Sequence, residues 1–482
     1  MSVLRLKAIR GVSWSMLDAI AGSGITFLIG LFLARILSPE EFGILGMVAV
    51  FIALSNTIID SGLSNALIRK VNANDIDYNT GFWTNIVLGI FLYFILFISA
   101  PFISNFFNEL ILVPILRTIG VILIFNSFSI IQRTLLTKNI DFKTQTKISL
   151  VSSFAGGIIG VLMAIYSFGV WSLVAQQIIR QFLNCLFLWI FSDWRPKYQF
   201  SFDSFNELFG FGSKLMLSAL IETIYQNVYY IVIGRFYTSS ELGQYTRAQQ
   251  FNNIFSNTLT LVVNRVSYPL LSSIQNDSDR LKKTYRRIIQ STMLVSFGSL
   301  LSLVAMSKSL IIVLIGAKWL LAVSFLQIIC FRGMLYPLHA INLNILQVKG
   351  RSDLFLRLEI IKKVIATGPI IIGVFYGIKF MLWGAVFTSV VALFINTYYS
   401  NKLLNYSIWM QIWDILPSLL VSSFVSIILW GISFLGFSNL ATLIIQFFVG
   451  ILLFYSIYSY LRLAIFIDLK KIVISTYKNN YA

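Results

Sequence analysis

Apolar runs of about 20 residues alternate with short polar turns along the whole chain, the period of membrane-crossing helices and not of ten-residue barrel strands. The pattern predicts fourteen spans, near 11–36, 41–67, 80–107, 112–136, 144–168, 169–191, 207–235, 241–271, 284–306, 320–347, 354–376, 380–401, 412–435 and 439–464. The stretch 309–319 is too short to cross and reads as an interfacial turn. After the sixth span comes a polar, aromatic loop, Ser192-Asp193-Trp194-Arg195-Pro196-Lys197, whose proline and charges mark it as the link between halves. The expected domains are a first lobe over 1–191, a cytoplasmic linker over 192–205 and a second lobe over 206–402. Two further spans and a cytoplasmic tail fill 403–482.

The second half restarts like the first. Ser13, Met16, Leu17 and Ala19 recur as Ser213, Met216, Leu217 and Ala219, and Ala34-Arg35 recurs as Gly234-Arg235. Ser38, Glu41 and Gly43 then recur as Thr238, Glu241 and Gly243, still without a gap, and Ser55-Asn56-Thr57 is echoed by Ser256-Asn257-Thr258. Either two hydrophobic helices match by chance, or the chain holds two similar bundles facing each other. In membrane proteins the second case means a transporter with its site between the halves.

Composition agrees with a polytopic membrane protein: 57% of the 482 residues are hydrophobic and 12% charged, against roughly 25% charged in soluble domains. The net charge of +18 sits in short loops at helix ends, where orientation and anionic lipid headgroups account for it better than nucleic acid does. With the N-terminus inside, one side carries Arg5, Lys7, Arg10, Arg69, Lys70, Lys138, Lys143, Arg195 and Lys197. It continues with the run from Arg280 to Arg287, then Lys349, Arg351, Lys402, Lys470 and Lys471. The other side keeps only a scattering, among them Arg35, Arg235, Lys318 and Lys379, so both termini are expected in the cytoplasm. Cys185 and Cys330 lie inside apolar runs and offer no disulfide framework or metal site. The basic N-terminus leads into a long apolar run with no small-residue cleavage site, which predicts a retained first helix.

Polar side chains at bilayer depth are costly, so their spacing carries information. Ser15, Asp18, Gly22 and Thr26 fall on one face of span one, and Ser218, Glu222, Gln226 and Tyr230 repeat the row in span seven. Asn56, Asp60 and Ser64 form a third row; Asn253, Asn257, Thr260, Asn264 and Ser267 form a fourth. Each row serves as interhelical glue or lines an aqueous cavity, and two repeat-related rows among four favour the cavity. Arg180, Arg265 and Arg332 sit within spans, while Arg117, Arg133 and Arg247 lie nearer span ends, where snorkelling to headgroups competes. Arg247 and Arg265 are eighteen residues apart, five turns and about 27 Å along one face. Arginine keeps its charge and grips phosphate bidentately, so several facing one cavity suit an anionic, phosphate-bearing substrate. Asp18, Asp60 and Glu222 either pair with these arginines or take up protons in an ion-coupled cycle. His339, the only histidine, is a proton relay or a structurally satisfied side chain. No phosphate loop, paired metal-ligand motif or nucleophile elbow appears, so no catalytic residue, metal or cofactor is expected, and energy must come from a gradient, the membrane potential or substrate consumption.

The run Leu33-Ala34-Arg35-Ile36-Leu37-Ser38-Pro39-Glu40-Glu41-Phe42-Gly43 resembles the first-turn signature of Wzx-type polysaccharide transporters, within the multidrug/oligosaccharidyl-lipid/polysaccharide (MOP) exporter superfamily. Asp60-Ser61-Gly62-Leu63, Phe82-Trp83-Thr84-Asn85, Gly169-Val170-Trp171-Ser172, Phe211-Gly212-Ser213-Lys214 and Gly243-Gln244-Tyr245-Thr246-Arg247-Ala248 extend the resemblance over most of 8–250. It implies an all-α fold of fourteen spans, in two pseudo-symmetric six-helix lobes plus two C-terminal helices, in a bacterial inner membrane. It further implies alternating access that moves undecaprenyl-diphosphate-linked oligosaccharide to the outer leaflet, for lipopolysaccharide, capsule or exopolysaccharide. The expected partners are that lipid-linked oligosaccharide, membrane lipids, and polymerase and chain-length machinery. The expected cavity lining is Arg265, Arg332, Arg180, Arg247, Arg35, Asn257, Asn264 and Gln226, with Asp18, Asp60, Glu222 and His339 for coupling or pairing. Arg35, Asp60 and Arg247 fall on motif positions near helix ends, where a structural role is the alternative. The diphosphate and sugars would enter the cavity while the lipid tail stays in the bilayer, and the lobes would rock about 192–205. A cation-coupled multidrug antiporter of the same superfamily would need a more acidic cavity. A membrane glycosyltransferase or polymerase would need acidic residues in large outer loops, and a non-transporting scaffold of the assembly machinery is the remaining alternative.

Overall fold

Apolar runs become helices because the bilayer leaves the backbone no other partner for its N–H and C=O groups. In the computed structural model, which describes residues 21–461, the helices are α1 (Ala21–Ile36), α2 (Pro39–Asp60), α3 (Leu63–Arg69), α4 (Asp75–Phe107), α5 (Leu112–Ile119) and α6 (Val121–Lys138). They continue with α7 (Phe142–Ile165), α8 (Val170–Phe191), α9 (Phe202–Phe236), α10 (Ser239–Ser273), α11 (Ser278–Leu314) and α12 (Leu320–Gly333). The last are α13 (Tyr336–Val348), α14 (Ser352–Ile365), α15 (Thr367–Tyr376), α16 (Ile378–Leu404), α17 (Ile408–Ile432) and α18 (Asn439–Tyr460). Among the described residues there is no strand.

Among the described residues, eleven helices or helix pairs are long and apolar enough to cross a membrane. The three remaining predicted spans differ for separate reasons. The first is described only from residue 21, as a shorter apolar helix. The eighth, α10, has the length but carries the polar row from Asn253 to Ser267. The eleventh is split at Ala366 into α14 and α15, and α14 holds Arg357, Glu359, Lys362 and Lys363. The stretch 309–319 is not one turn: α11 runs to Leu314, and the backbone breaks only at Gly316 (φ 99°), before a short 3₁₀ turn over Ala317–Trp319.

Backbone packing divides the described chain between Thr246 and Arg247, so the first unit also holds α9 and the start of α10. Within it, α7 lies along α8, α4 along α6, and α2 along α9. The repeat is visible as a contact. Ser38 and Glu41 cap the start of α2 reciprocally, and Thr238 and Glu241 do the same for α10. Directly inside the two caps, Gly43 lies against the carbonyl of Ser239 and Gly243 against the carbonyl of Pro39, so a Cβ at either would overlap backbone. A second close approach joins Gly62 (φ 68°), in the break between α2 and α3, to Gly212 of α9.

The segment expected to link the lobes is strapped to α4. Asn79 accepts from Lys197 N at 2.8 Å, Trp83 Nε1 donates to Lys197 O at 3.0 Å, and Ser201 N donates to Thr80 Oγ1 at 3.1 Å. Tyr198 stacks on Trp83, while Phe82, 1% exposed, is ringed by Trp83, Phe128, Trp189 and Trp194. Beneath it Lys70 bridges Asp77 and Glu207 at 3.0 and 2.9 Å, joining the end of α3 to the starts of α4 and α9.

The second unit packs around α11, whose Leu281, Tyr285, Ile289, Met293 and Phe297 recur every four residues and are fully buried. A polar network crosses this core. Tyr285 donates to Asn342 of α13, Ser400 of α16 donates to the same oxygen at 3.2 Å, and Gln411 of α17 reaches it at 3.3 Å. Near this end of α17, Asp414 accepts from Arg286 twice at 2.7 Å and from Tyr406 at 2.6 Å.

Candidate functional site

In the first unit, three helices place amides in a chain. Asn126 of α6 donates to Asn56 of α2 at 2.9 Å, and Gln181 of α8 donates to Asn126 at 3.3 Å. All three are half-exposed. Seven residues on, two turns along the same face of α6, Arg133 is exposed and donates to Asn184 of α8 at 2.9 Å. Because Asn184 follows Gln181 by three residues, α6 and α8 present a guanidinium and an amide row together. Each carboxamide offers two donors and an acceptor oxygen, so the chain keeps spare hydrogen-bonding capacity. Amides exposed within these spans face water or a polar partner, because lipid cannot satisfy them, whereas Arg133 stands about five residues from the end of α6 at Lys138, within reach of headgroups.

The other expected residues of this unit lie apart from that chain. Gln226 is exposed on α9 and donates to Glu222 at 3.0 Å, one turn away. Asp60 accepts from Ser64 across the break between α2 and α3. Arg180 is exposed on α8 and Arg35 at the end of α1. Arg35's repeat partner, Arg235, is a fastener: it donates to Phe106 O with its guanidinium over the Phe106 ring. Asp18 lies outside the described residues.

In the second unit the polar row of α10 splits. Thr260 and Ser267 are buried; Asn257, Asn264 and Arg265 are exposed. Asn344 of α13 donates to Asn264 at 2.9 Å and to Ser267 at 3.1 Å, and Ser256 donates to Gly333 O at 3.0 Å. One edge of the row is therefore interhelical glue and the other an exposed face that includes Arg265. Arg247 is 6% exposed and donates to Gln250. Arg332 is half-buried in the last turn of α12. His339 stands between Ser389 Oγ at 2.9 Å and Asn396 Nδ2 at 3.3 Å, both on α16.

The sequence reading named Asn56 and Arg133 but missed Asn126, Gln181 and Asn184. The seven-residue step from Asn126 to Arg133, and the spacing of Gln177, Gln181 and Asn184, were the available signals. Chemically, a guanidinium is suited to pair with anions and a carboxamide with hydroxyl-rich groups.

The helices of this polytopic membrane protein follow a fold known from membrane transporters. The chain is similar to the lipid II flippase MurJ in an inward closed conformation, with a TM-score of 0.75 and 15% identity over 94% of this chain and 100% of that one. It is also similar to an inward-facing multidrug resistance MATE family transporter of the MOP superfamily, with a TM-score of 0.64 and 16% identity over 83% and 98% of the two chains. Within that fold, residues 32–324 match the polysaccharide biosynthesis protein family, and the chain belongs to that family, as its Wzx-type motifs implied. Relatives include the lipopolysaccharide biosynthesis protein WzxC of Escherichia coli, 25% identical over 89% of each chain. The teichuronic acid biosynthesis protein TuaB of Bacillus subtilis is 29% identical over 62% of each. The succinoglycan biosynthesis transport protein ExoT of Rhizobium meliloti is 25% identical over 78% of this chain and 76% of its own.

Proposed function

We propose that the protein carries undecaprenyl-diphosphate-linked oligosaccharide from the inner to the outer leaflet of a bacterial cytoplasmic membrane by alternating access, with both termini in the cytoplasm. The observation that carries this reading is the Arg133–Asn184 pair beside the Asn56–Asn126–Gln181 chain. A diphosphate needs fixed cations, and sugar hydroxyls need groups that both donate and accept. Moving a diphosphate unaided through hydrocarbon would cost on the order of tens of kcal/mol, so a wet, charged path is required while the lipid tail stays in the bilayer. Relatives named for three different polymers favour a step common to their assembly over recognition of one sugar. An organic-cation antiporter fits less well, because the exposed charges of these faces include the arginines Arg133, Arg180 and Arg265, which repel a cation.

The test is the fate of lipid-linked oligosaccharide in cells depleted of the protein. Inner-leaflet accumulation, loss of surface polysaccharide and rescue by the wild type are expected, with rescue impaired by R133A and by R265A/R332A. Normal intermediates and normal surface polymer in depleted cells would overturn the reading.

A further inference from the structure

Four cations crowd two turns of α11, and they divide by what they touch. Lys282 Nζ donates to the Asn405 carbonyl at 2.6 Å, and Arg286 holds both oxygens of Asp414 at 2.7 Å. This i, i+4 row is fixed onto the turn between α16 and α17 through Lys282 and onto α17 itself through Arg286. Lys283 and Arg287 form the adjacent row and are exposed, and among the described residues no carboxylate lies within ion-pair distance of either. A cavity of about 270 Å³ opens here, lined by Asp279, Lys282, Lys283, Arg286, Arg287 and Gln290. Its lining carries a formal charge of +3, four cations against Asp279.

We infer that this cavity receives the phosphate of a lipid headgroup from the cytoplasmic leaflet, with Arg287 and Lys283 as the gripping pair. Three observations support it, and none depends on the proposed glycan cargo. The cavity's place on α11 is the basic segment 280–287, which the positive-inside rule puts at the cytoplasmic headgroups. Its volume of about 270 Å³ is ample for a phosphate group. Its wall is pre-organised: Asp414 and the Asn405 carbonyl hold Arg286 and Lys282 in place, so binding does not have to order all four long side chains. A purely topogenic charge needs no such arrangement. Clusters of basic residues on the cytoplasmic side are suited to anionic headgroups, and all six lining residues stand on α11.

The experiment is native mass spectrometry of the purified full chain in neutral detergent, titrated with phosphatidylglycerol, phosphatidylethanolamine or undecaprenyl diphosphate. Phosphatidylglycerol is expected to bind more tightly than phosphatidylethanolamine. K283A/R287A should weaken it about 25-fold, near fivefold per cation, while R280A, outside the lining, should leave it within about twofold. An unchanged thermal midpoint shows that K283A/R287A is folded, and K283R/R287K should restore binding. If undecaprenyl diphosphate displaces phosphatidylglycerol from the wild type, the site takes the phosphate of a polyprenyl lipid. If phosphatidylglycerol stays bound, the site is held by resident phospholipid. Equal binding of the two phospholipids, or K283A/R287A no weaker than R280A, would overturn the inference.

Discussion

Replacing Asp414 with alanine removes the acceptor of two hydrogen bonds from Arg286 at 2.7 Å and one from Tyr406 at 2.6 Å, with Gln290 also bonded to it. The Asp414 side chain is 11% exposed and that of Arg286 41%. Breaking a buried ion pair costs about 3–5 kcal/mol and a surface pair about 0–1 kcal/mol, so the exposure of Arg286 pulls the ionic loss toward about 1–2 kcal/mol. Tyr406 is fully buried, and a buried hydroxyl stripped of its acceptor adds about 1–3 kcal/mol. Together D414A should destabilise the second unit by about 2–5 kcal/mol. Y406F, which deletes one hydrogen bond and leaves the ion pair, should cost about 1 kcal/mol. Once Asp414 is gone Arg286 has little left to lose, so R286A/D414A should fall short of the summed singles by about 1 kcal/mol or more. Equilibrium unfolding in detergent, followed by tryptophan fluorescence, measures all four variants. Strict additivity, or D414A within about 0.5 kcal/mol of wild type, would refute the claim that this contact fastens α17 to α11.

Gly43→Ala and Gly243→Ala should each cost about 1–3 kcal/mol by overpacking, and the double variant less than the sum, because the first Cβ already separates the backbones; unfolding midpoints decide it. Hydrogen bonding to Glu207, and then Asp77, holds the Lys70 ammonium above its ordinary value of 10.5. A raised pKa gives stability that is complete below pH 10.5 and lost as pH climbs through the higher folded value, so the thermal midpoint should fall above pH 10.5 and K70M should flatten that fall. His339 has both ring nitrogens engaged, by Ser389 and Asn396. H339Q should therefore leave the pH profile of polysaccharide export unmoved, and a shifted profile would restore the proton-relay role.

The spans were legible because a bilayer admits one solution for an apolar run, and the 20-residue period survives even where Asn253 to Ser267 make α10 polar. Contacts between distant runs were not legible. Within the first unit the motifs pair with one another: Ser61-Gly62 rests on Gly212, and the Ser38–Gly43 turn rests on Ser239 and Gly243. Phe82 fills a ring of tryptophans, and its neighbour Trp83 straps Lys197 and Tyr198 to α4. Nothing in any one motif tells that its partner is a second motif some 150–200 residues away. The α10 row shows a different loss. A period of 3.6 puts Asn257, Thr260, Asn264 and Ser267 on one side, but that side is wide enough for Thr260 and Ser267 to turn inward while Asn257 and Asn264 stay exposed. Lone amides such as Asn126 and Gln181 form no row of their own, and they become a chain only when α2, α6 and α8 pack together. The motif residues that made the family recognisable act here as helix fasteners, and most of the polar chemistry sits on residues between them. Substituting Gly212 should thus perturb stability first and export second, whereas substituting Gln181 should perturb export at nearly unchanged stability.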